Sequence, residues 1–179
     1  MSPDSLLLRR VRATYEWSRV RRGLRAACLV APMVVASLGW CGNVRLTLTL
    51  GVALAISSAA LVWRGGTPGK AVVPGLIAGM VSLAVPTLLS PACAIADGPD
   101  GIRYCLLACA AGGLASGSVV AHFASRRIDR TEFVAVAGSI AAAGGALGCM
   151  IVGMVGIASM LVGLCAVSLP AALRPQRTG

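Results

Sequence analysis

Long runs of apolar and small residues, separated by short polar segments, dominate the chain. Four runs are long enough for a helix that crosses a bilayer; they occupy about residues 24–40, 46–63, 71–89 and 104–125. The next run, residues 133–173, contains no charged residue. As one helix it would reach about 60 Å, twice the ~30 Å hydrocarbon thickness, so we expect two spans with a turn near residues 148–153. The pattern predicts an all-α membrane protein, a polytopic bundle of six transmembrane helices.

The polar segments at the two ends divide the chain into three parts. Residues 1–23 form a basic arm, residues 24–173 the six-span domain, and residues 174–179 a polar tail. Apolar residues recur in the arm at helical spacing, which predicts an amphipathic helix that binds an anionic leaflet or a protein partner. These residues are Leu7, Leu8, Val11 and Tyr15.

Composition places the chain in lipid rather than in water. Of its 179 residues, 57% are hydrophobic and only 12% are charged, which is about half the charged share of a soluble domain. The formal net charge of +10 would suit nucleic acid, but membrane proteins also use basic loops to fix their orientation. We therefore expect the lipid bilayer as a partner and no direct binding of nucleic acid.

Basic residues concentrate on alternate polar segments. With a cytoplasmic N-terminus, the arm up to Arg25, the turns 64–70 and 126–132, and the tail are all cytoplasmic. These segments carry 14 of the 16 lysines and arginines, and only Arg45 and Arg103 lie elsewhere. Because cytoplasmic loops are enriched in Lys and Arg, the distribution predicts that both termini lie in the cytoplasm.

Pairs of glycines four residues apart occur on three of the predicted spans. In lipid, small residues at this spacing let helix backbones approach closely, which is how transmembrane helices associate. We therefore expect the third, fourth and fifth spans to form the tight centre of the bundle. The predicted packing residues are Gly75, Gly79, Gly113, Gly117, Gly144 and Gly148.

The chain has seven cysteines, and the six-span topology places five of them near the outer face. Cys105 and Cys109 are one helical turn apart, so both thiols face the same neighbour. Thiolates beside a thioether suit a soft metal, although the spacing matches no zinc motif of the CxxC type. Cysteine also packs as a small apolar residue, so that reading stays open. The candidates for sensing or a disulfide are Cys93, Cys105, Cys109 and Cys149, and the candidates for a metal are Cys105, Cys109, Cys149 and Met150.

The sequence shows no pattern typical of an enzyme. His122 is the only histidine, and Asp97 and Asp100 belong to a DGPDG segment with ordinary turn chemistry. No charged residue lies in the middle of a span, which argues against an ion-coupled transporter. We expect no catalytic activity and no cofactor.

Two segments resemble a known family. Cys105-Leu106 opens the fourth span, and a Gly/Ala-rich fifth span runs from Ala137-Gly138 to Cys149. With the six-span layout and the basic arm, these segments resemble the NrsF-type membrane anti-sigma factors of bacteria. In that family the cytoplasmic N-terminal region holds an extracytoplasmic-function sigma factor, and outward-facing cysteines sense metal or oxidative stress.

The resemblance implies a role for particular residues. It makes Cys105 and Cys149 the sensing pair and residues 6–25 the sigma-holding arm, in the inner membrane of a bacterium. The turn that follows the fourth span would lie beside this arm and add to the partner surface through Arg126, Arg127 and Arg130.

Three hypotheses for function follow. The first is a regulatory membrane protein, an anti-sigma factor that responds to a thiol-directed signal. The second is a small membrane protein that transports or handles a soft metal. The third is a membrane scaffold whose cysteines only pack. The sequence leaves the oligomeric state open.

The charge distribution makes the topology testable. Reporter fusions after Gly98 and after Gly179 should report opposite sides of the membrane, because an odd number of spans separates the two sites. The same side for both would mean that the span count is wrong by one, with residues 133–173 the first segment to reconsider.

Overall fold

The computed structural model describes residues 3–39, 44–95, 99–149 and 154–173, with the backbone alone at 3–15, 19, 90–95, 99–100 and 149. Within these ranges the chain forms six α-helices and no strand. The helices are α1 (Pro3–Leu38), α2 (Val44–Arg64), α3 (Gly66–Ile95), α4 (Pro99–Ala124), α5 (Arg130–Cys149) and α6 (Met154–Leu173).

Five of these helices, α2 to α6, are long and apolar enough to cross a membrane. The uncharged run 133–173 is divided between α5 and α6, as its length predicts. These helices confirm the all-α class and indicate a multi-pass membrane protein. Helix α1 differs, because the basic arm and the first apolar run form one continuous helix of 36 residues rather than a short helix followed by a span. The crossing of α1 and the side on which the termini lie stay predictions.

Helices α3 and α5 run parallel with their backbones in contact. A Cβ atom added to Gly75 of α3 would lie 2.9 Å from the carbonyl oxygen of Ala137 on α5, and one added to Gly79 would lie 3.5 Å from the Cα atom of Gly144. One turn further, a Cβ atom on Gly148 would lie 3.1 Å from the side chain of Leu83. A larger residue at Gly75 would push the two helices apart, because its Cβ atom would meet backbone.

Helices α4 and α6 form a second parallel pair of the same kind. A Cβ atom added to Gly113 would overlap the carbonyl oxygen of Met160, and one added to Gly117 would lie 2.8 Å from that of Leu164. From the other side, a Cβ atom on Gly163 of α6 would lie 2.6 Å from the carbonyl oxygen of Ala110. The glycines predicted on the fourth span therefore face α6, whereas those on the third and fifth spans face each other.

One layer joins the two pairs into a four-helix core. Ser82 of α3 donates a hydrogen bond of 3.5 Å to the carbonyl oxygen of Gly112 on α4. A Cβ atom on Gly145 of α5 would lie 2.9 Å from the Cβ atom of Ser82 and would overlap the sulfur of Met160 on α6. We call Ser82, Gly112, Gly145 and Met160 the central layer.

The α1–α2 hairpin packs against this core through a methionine. Met33 of α1 is 1% exposed, and its methyl carbon would lie 3.1 Å from a Cβ atom on Gly79 and would clash with one on Gly144. Met33 therefore fills a notch that these two glycines leave between α3 and α5. Within the hairpin the helices run antiparallel, with Val34 of α1 against Gly51 of α2.

Two turns meet at one end of the bundle. The hydroxyl of Thr67, at the start of α3, donates a hydrogen bond of 3.3 Å to the carboxylate of Asp129, just before α5. The chain can turn from α2 into α3 over so few residues because Gly65 and Gly66 adopt positive φ angles of 72° and 68°, which other residues reach only with strain. We call this end, which carries the turns 64–70 and 126–132, the basic end.

The glycine contacts predict a difference between two single-methyl substitutions. Gly113→Ala should lower the free energy of unfolding by roughly 1–3 kcal/mol, because the added carbon meets backbone that has no room to move. Gly138→Ala should be neutral or slightly stabilising, since its Cβ atom would lie 3.8 Å from the side chain of Leu164 and alanine favours helix. Thermal unfolding of both purified variants in detergent is the measurement, and equal midpoints would show that α4 and α6 are not in backbone contact.

Candidate functional site

Exposed cations surround the Thr67–Asp129 contact. Arg64, Lys70, Arg126 and Arg127 are exposed there, and Arg130 is half-buried. The guanidinium of Arg127 lies 5.8 Å from the centre of the Phe133 ring, within the range of a cation–π interaction. Arg130 donates hydrogen bonds to the carbonyl oxygens of Arg127, at 3.4 Å, and Ser125, at 3.3 Å. The turn therefore has a fixed shape in which Arg126 and Arg127 point into solvent.

The basic part of α1 continues this surface. Gly23 lies against Ala59 of α2, with a Cβ-to-oxygen separation of 3.8 Å. Because α1 and α2 are antiparallel, Ser18 lies level with Arg64, and the helix then continues for about 22 Å to Pro3. Arg21, Arg22 and Arg25, which follow Ser18 on α1, are exposed. The predicted contact residues of the arm lie where only the backbone is described: Leu7, Leu8, Val11 and Tyr15.

An exposed apolar stripe on α1 lies beside these arginines. Trp17, Val20 and Leu24 are one or two turns apart and are 68%, 39% and 63% exposed. Trp17 lies at the depth of Trp63 on α2, which is 51% exposed. Tryptophans at one depth are typical of a membrane–water interface.

The opposite end carries the thiols. Cys105 is half-buried near the start of α4, beside the exposed Arg103 and Tyr104. Cys109, one turn deeper, is completely buried and packs with Met160. The exposure of the two thiols therefore differs, although the spacing alone would let both face one neighbour.

The backbone places Cys149 at the depth of Cys109. Gly113 on α4 and Gly145 on α5 both face Met160. Cys109 precedes Gly113 by one turn and Cys149 follows Gly145 by one turn, so both lie one turn nearer the opposite end. Since α4 and α5 contact each other and run in opposite directions, the two cysteines occupy one level of the core.

Other candidate residues are placed less closely. Cys93 lies on α3 where only the backbone is described, and Asp97 and Met150 lie outside the described residues. His122 is exposed at the end of α4, with its ring 5.8 Å from that of Phe123. Cys28 and Cys165 are free thiols on exposed faces of α1 and α6. Among the described side chains, no three or more of His, Cys, Asp or Glu lie close enough together to hold a metal ion.

Sequence reasoning did not find the contacts that link the two ends. The notch that holds Met33, the Ser82 contact and the Thr67–Asp129 bond each join residues far apart in the chain. Methionine, serine and threonine are common in transmembrane segments, so nothing in their local pattern sets these residues apart. The exposed stripe through Trp17 does follow helical spacing and could have been found from the sequence.

The chain matches no protein-family model, no curated protein and no solved structure.

The different burial of two thiols predicts different reactivity. In intact membranes, a water-soluble maleimide should modify Cys105 well before Cys109, because a reagent reaches a half-exposed thiol but not a buried one. Peptide mass spectrometry measures the modified fraction of each, with Cys105→Ser and Cys109→Ser as matched controls. Complete modification of both is expected only after denaturation. Equal rates in the native membrane would contradict the packing of Cys109 against Met160.

Proposed function

We propose that this chain is a regulatory protein of a bacterial inner membrane that binds a cytoplasmic protein at its basic end and responds to a thiol-directed signal at the opposite end. One observation carries the proposal: α4 and α5 bear cysteines at one level of the core and are joined, at their other ends, by the arginine-bearing turn 126–132. The same two helices therefore connect the thiols to the surface that would bind the partner.

The signal acts on Cys149 together with Cys105 or Cys109. In the redox form, one thiolate attacks the oxidant, at a sulfur of a disulfide or at the N=N bond of diamide, and the second thiolate then attacks the sulfur of that adduct. The two cysteines lose two electrons and form a disulfide, and the oxidant leaves reduced, as thiols or as the hydrazine. In the metal form, the thiolates and the nearby thioether of Met160 share a soft cation. A disulfide requires Cα atoms roughly 4.4–6.8 Å apart, so its formation would fix the separation of α4 and α5 at this level.

A movement of α5 would reach α1 through the notch. Gly144 is the residue before Gly145 of the central layer, and it forms one wall of the notch that holds Met33. Close-packed interfaces respond to small shifts by changing between discrete arrangements. Since α1 carries the basic arm, a change in the packing of Met33 in the notch would change the position of the arm relative to the core.

The resemblance to NrsF-type proteins supplies the class of partner. By that resemblance, residues 6–25 hold an extracytoplasmic-function sigma factor, and the turn at Arg126, Arg127 and Arg130 adds to this surface because it lies beside the arm. The exposed arginines favour a partner surface rich in Asp and Glu. Trp17, which lies within the arm and is exposed, would add an apolar contact.

A second candidate is a protein that handles a soft metal. The contact between Cys109 and Met160 favours it, because a thiol and a thioether provide soft ligands in the core. Such a protein would bind the metal and retain no sigma factor, which separates it from the regulatory proposal.

The partner is tested with the full-length protein in bacterial membranes. It should retain a co-expressed extracytoplasmic-function sigma factor, and R126Q/R127Q should lose most of it, while R45Q/R103Q, with the same change in charge at the opposite end, should not. Arg130 is left unchanged because its hydrogen bonds hold the turn. If none of a panel of such sigma factors is retained, or if both variants lose the sigma factor equally, the proposed partner is wrong.

The signal is tested separately from the partner. Thiols are alkylated in intact cells before and after addition of diamide or cadmium, and the modified fraction of each cysteine is measured by mass spectrometry. We expect Cys149 and one thiol of α4 to be protected together, and Cys149→Ser to abolish the protection of the other. If neither diamide nor cadmium changes the alkylated fraction of any cysteine, the cysteines only pack.

A further inference from the structure

An open apolar groove runs between α2 and α5. It has a volume of about 570 Å³, within the range of about 300–1,000 Å³ for small-molecule sites. Leu54 and Ile140 form its floor, and both are buried in the cluster that also contains Val72 and Leu76 of α3. Its rims are the exposed Ser57 and Leu50 of α2 and, on α5, small residues: Ala135, Ser139, Ala143 and Ala146.

The groove has the depth of one leaflet. On each helix its lining covers eleven residue steps, from Leu50 to Leu61 and from Ala135 to Ala146, which is about 16 Å of helix. That is about half of the ~30 Å hydrocarbon thickness. On α2 the groove extends from Leu61, about one turn from the basic end, past the middle of the helix to Leu50, and on α5 it reaches Ala146, three residues before the helix ends.

Two cations lie at the end of the groove nearest the water. Arg64 follows Leu61 by three residues and Ser57 by seven, so it shares their face of α2 and is exposed. Lys70 is also exposed, and it follows Gly69, whose Cβ atom would lie 3.2 Å from the carbonyl oxygen of Leu61. The exposed Glu132 lies on the corresponding face of α5, so the mouth carries two positive charges and one negative charge.

We propose that this groove binds an anionic phospholipid, with an acyl chain between α2 and α5 and the headgroup phosphate at Arg64 and Lys70. An apolar trench that ends in cations matches the two parts of such a lipid. Basic pockets between transmembrane helices bind anionic headgroups on this principle. The small side chains on the α5 rim leave the space that the lipid's acyl chain fills. The net positive charge at the mouth of the groove favours an anionic headgroup over a zwitterionic one. The proposal requires neither the thiol chemistry nor the sigma factor.

Native mass spectrometry tests the headgroup contact. The full-length protein is released from nanodiscs that contain equal amounts of phosphatidylglycerol and phosphatidylcholine. Wild type should retain phosphatidylglycerol in preference, and R64Q/K70Q should lower that retention by roughly tenfold. R45Q/R103Q removes the same charge at the opposite end and should behave as wild type. Equal retention by the two double variants would overturn the proposal.

A second pair of variants tests the chain contact. Ala143→Phe places a ring in the groove and should displace the bound lipid. Ala111→Phe places the same ring on an exposed position of α4 outside the groove and should not. If Ala143→Phe retains lipid as wild type does, the lipid's acyl chain does not lie in the groove. If Ala143→Phe instead changes the oligomeric state of the protein while lipid retention is unchanged, the groove is a protein interface and the lipid proposal is wrong.

Discussion

Backbone contact at glycine is the interaction on which this bundle depends. A lipid tail is as apolar as a leucine, so burial from water gives transmembrane helices little reason to associate. Close packing supplies the attraction instead, and each pair of atoms contributes only when the surfaces meet. Gly75 and Gly113 are placed where carbonyl oxygens of the neighbouring helix approach within the distance of a missing Cβ atom. The core pairs, the central layer and the seat of Met33 all follow from that approach.

The two ends of the bundle differ in the charges that they carry. Outside the arm, the basic end bears two turns with five Lys and Arg residues, and the opposite end has Arg45 and Arg103 among its described residues. Helices that run the length of the bundle connect these ends: α5 begins at Arg130, next to the turn that carries Arg126, and ends at Cys149. The hairpin that carries the arm has fewer contacts with the core than the core helices have with one another. It is therefore the part of the bundle that a small change in the core could most easily release.

The sequence predicts where the helices lie along the chain better than it predicts which helices pack against one another. Uncharged runs of fixed length predict the helices, and the length of residues 133–173 predicts the break between α5 and α6. Periodicity cannot show which helix a glycine faces, so it did not predict that Gly113 meets α6. The sequence pattern also predicted a break in α1 where polar residues give way to apolar ones. The helix continues through this point because arginine is a good helix former. For the candidate site, spacing placed Cys105 and Cys109 on one face but could not show that only the second is completely buried.

The order of the core pairs determines when the bundle can fold during synthesis. Helix α3 pairs with α5, and α4 pairs with α6, so each pair skips the helix that lies between its members in the sequence. During synthesis the glycine face of α3 has no partner until two further helices have been made, and that of α4 waits for the last. The core therefore cannot fold one hairpin at a time, and it closes only when α6 has entered the bilayer. A chain that stops before Met154 would leave Gly113 and Gly117 facing lipid. Its core would be incompletely packed, and quality-control proteases could recognise it.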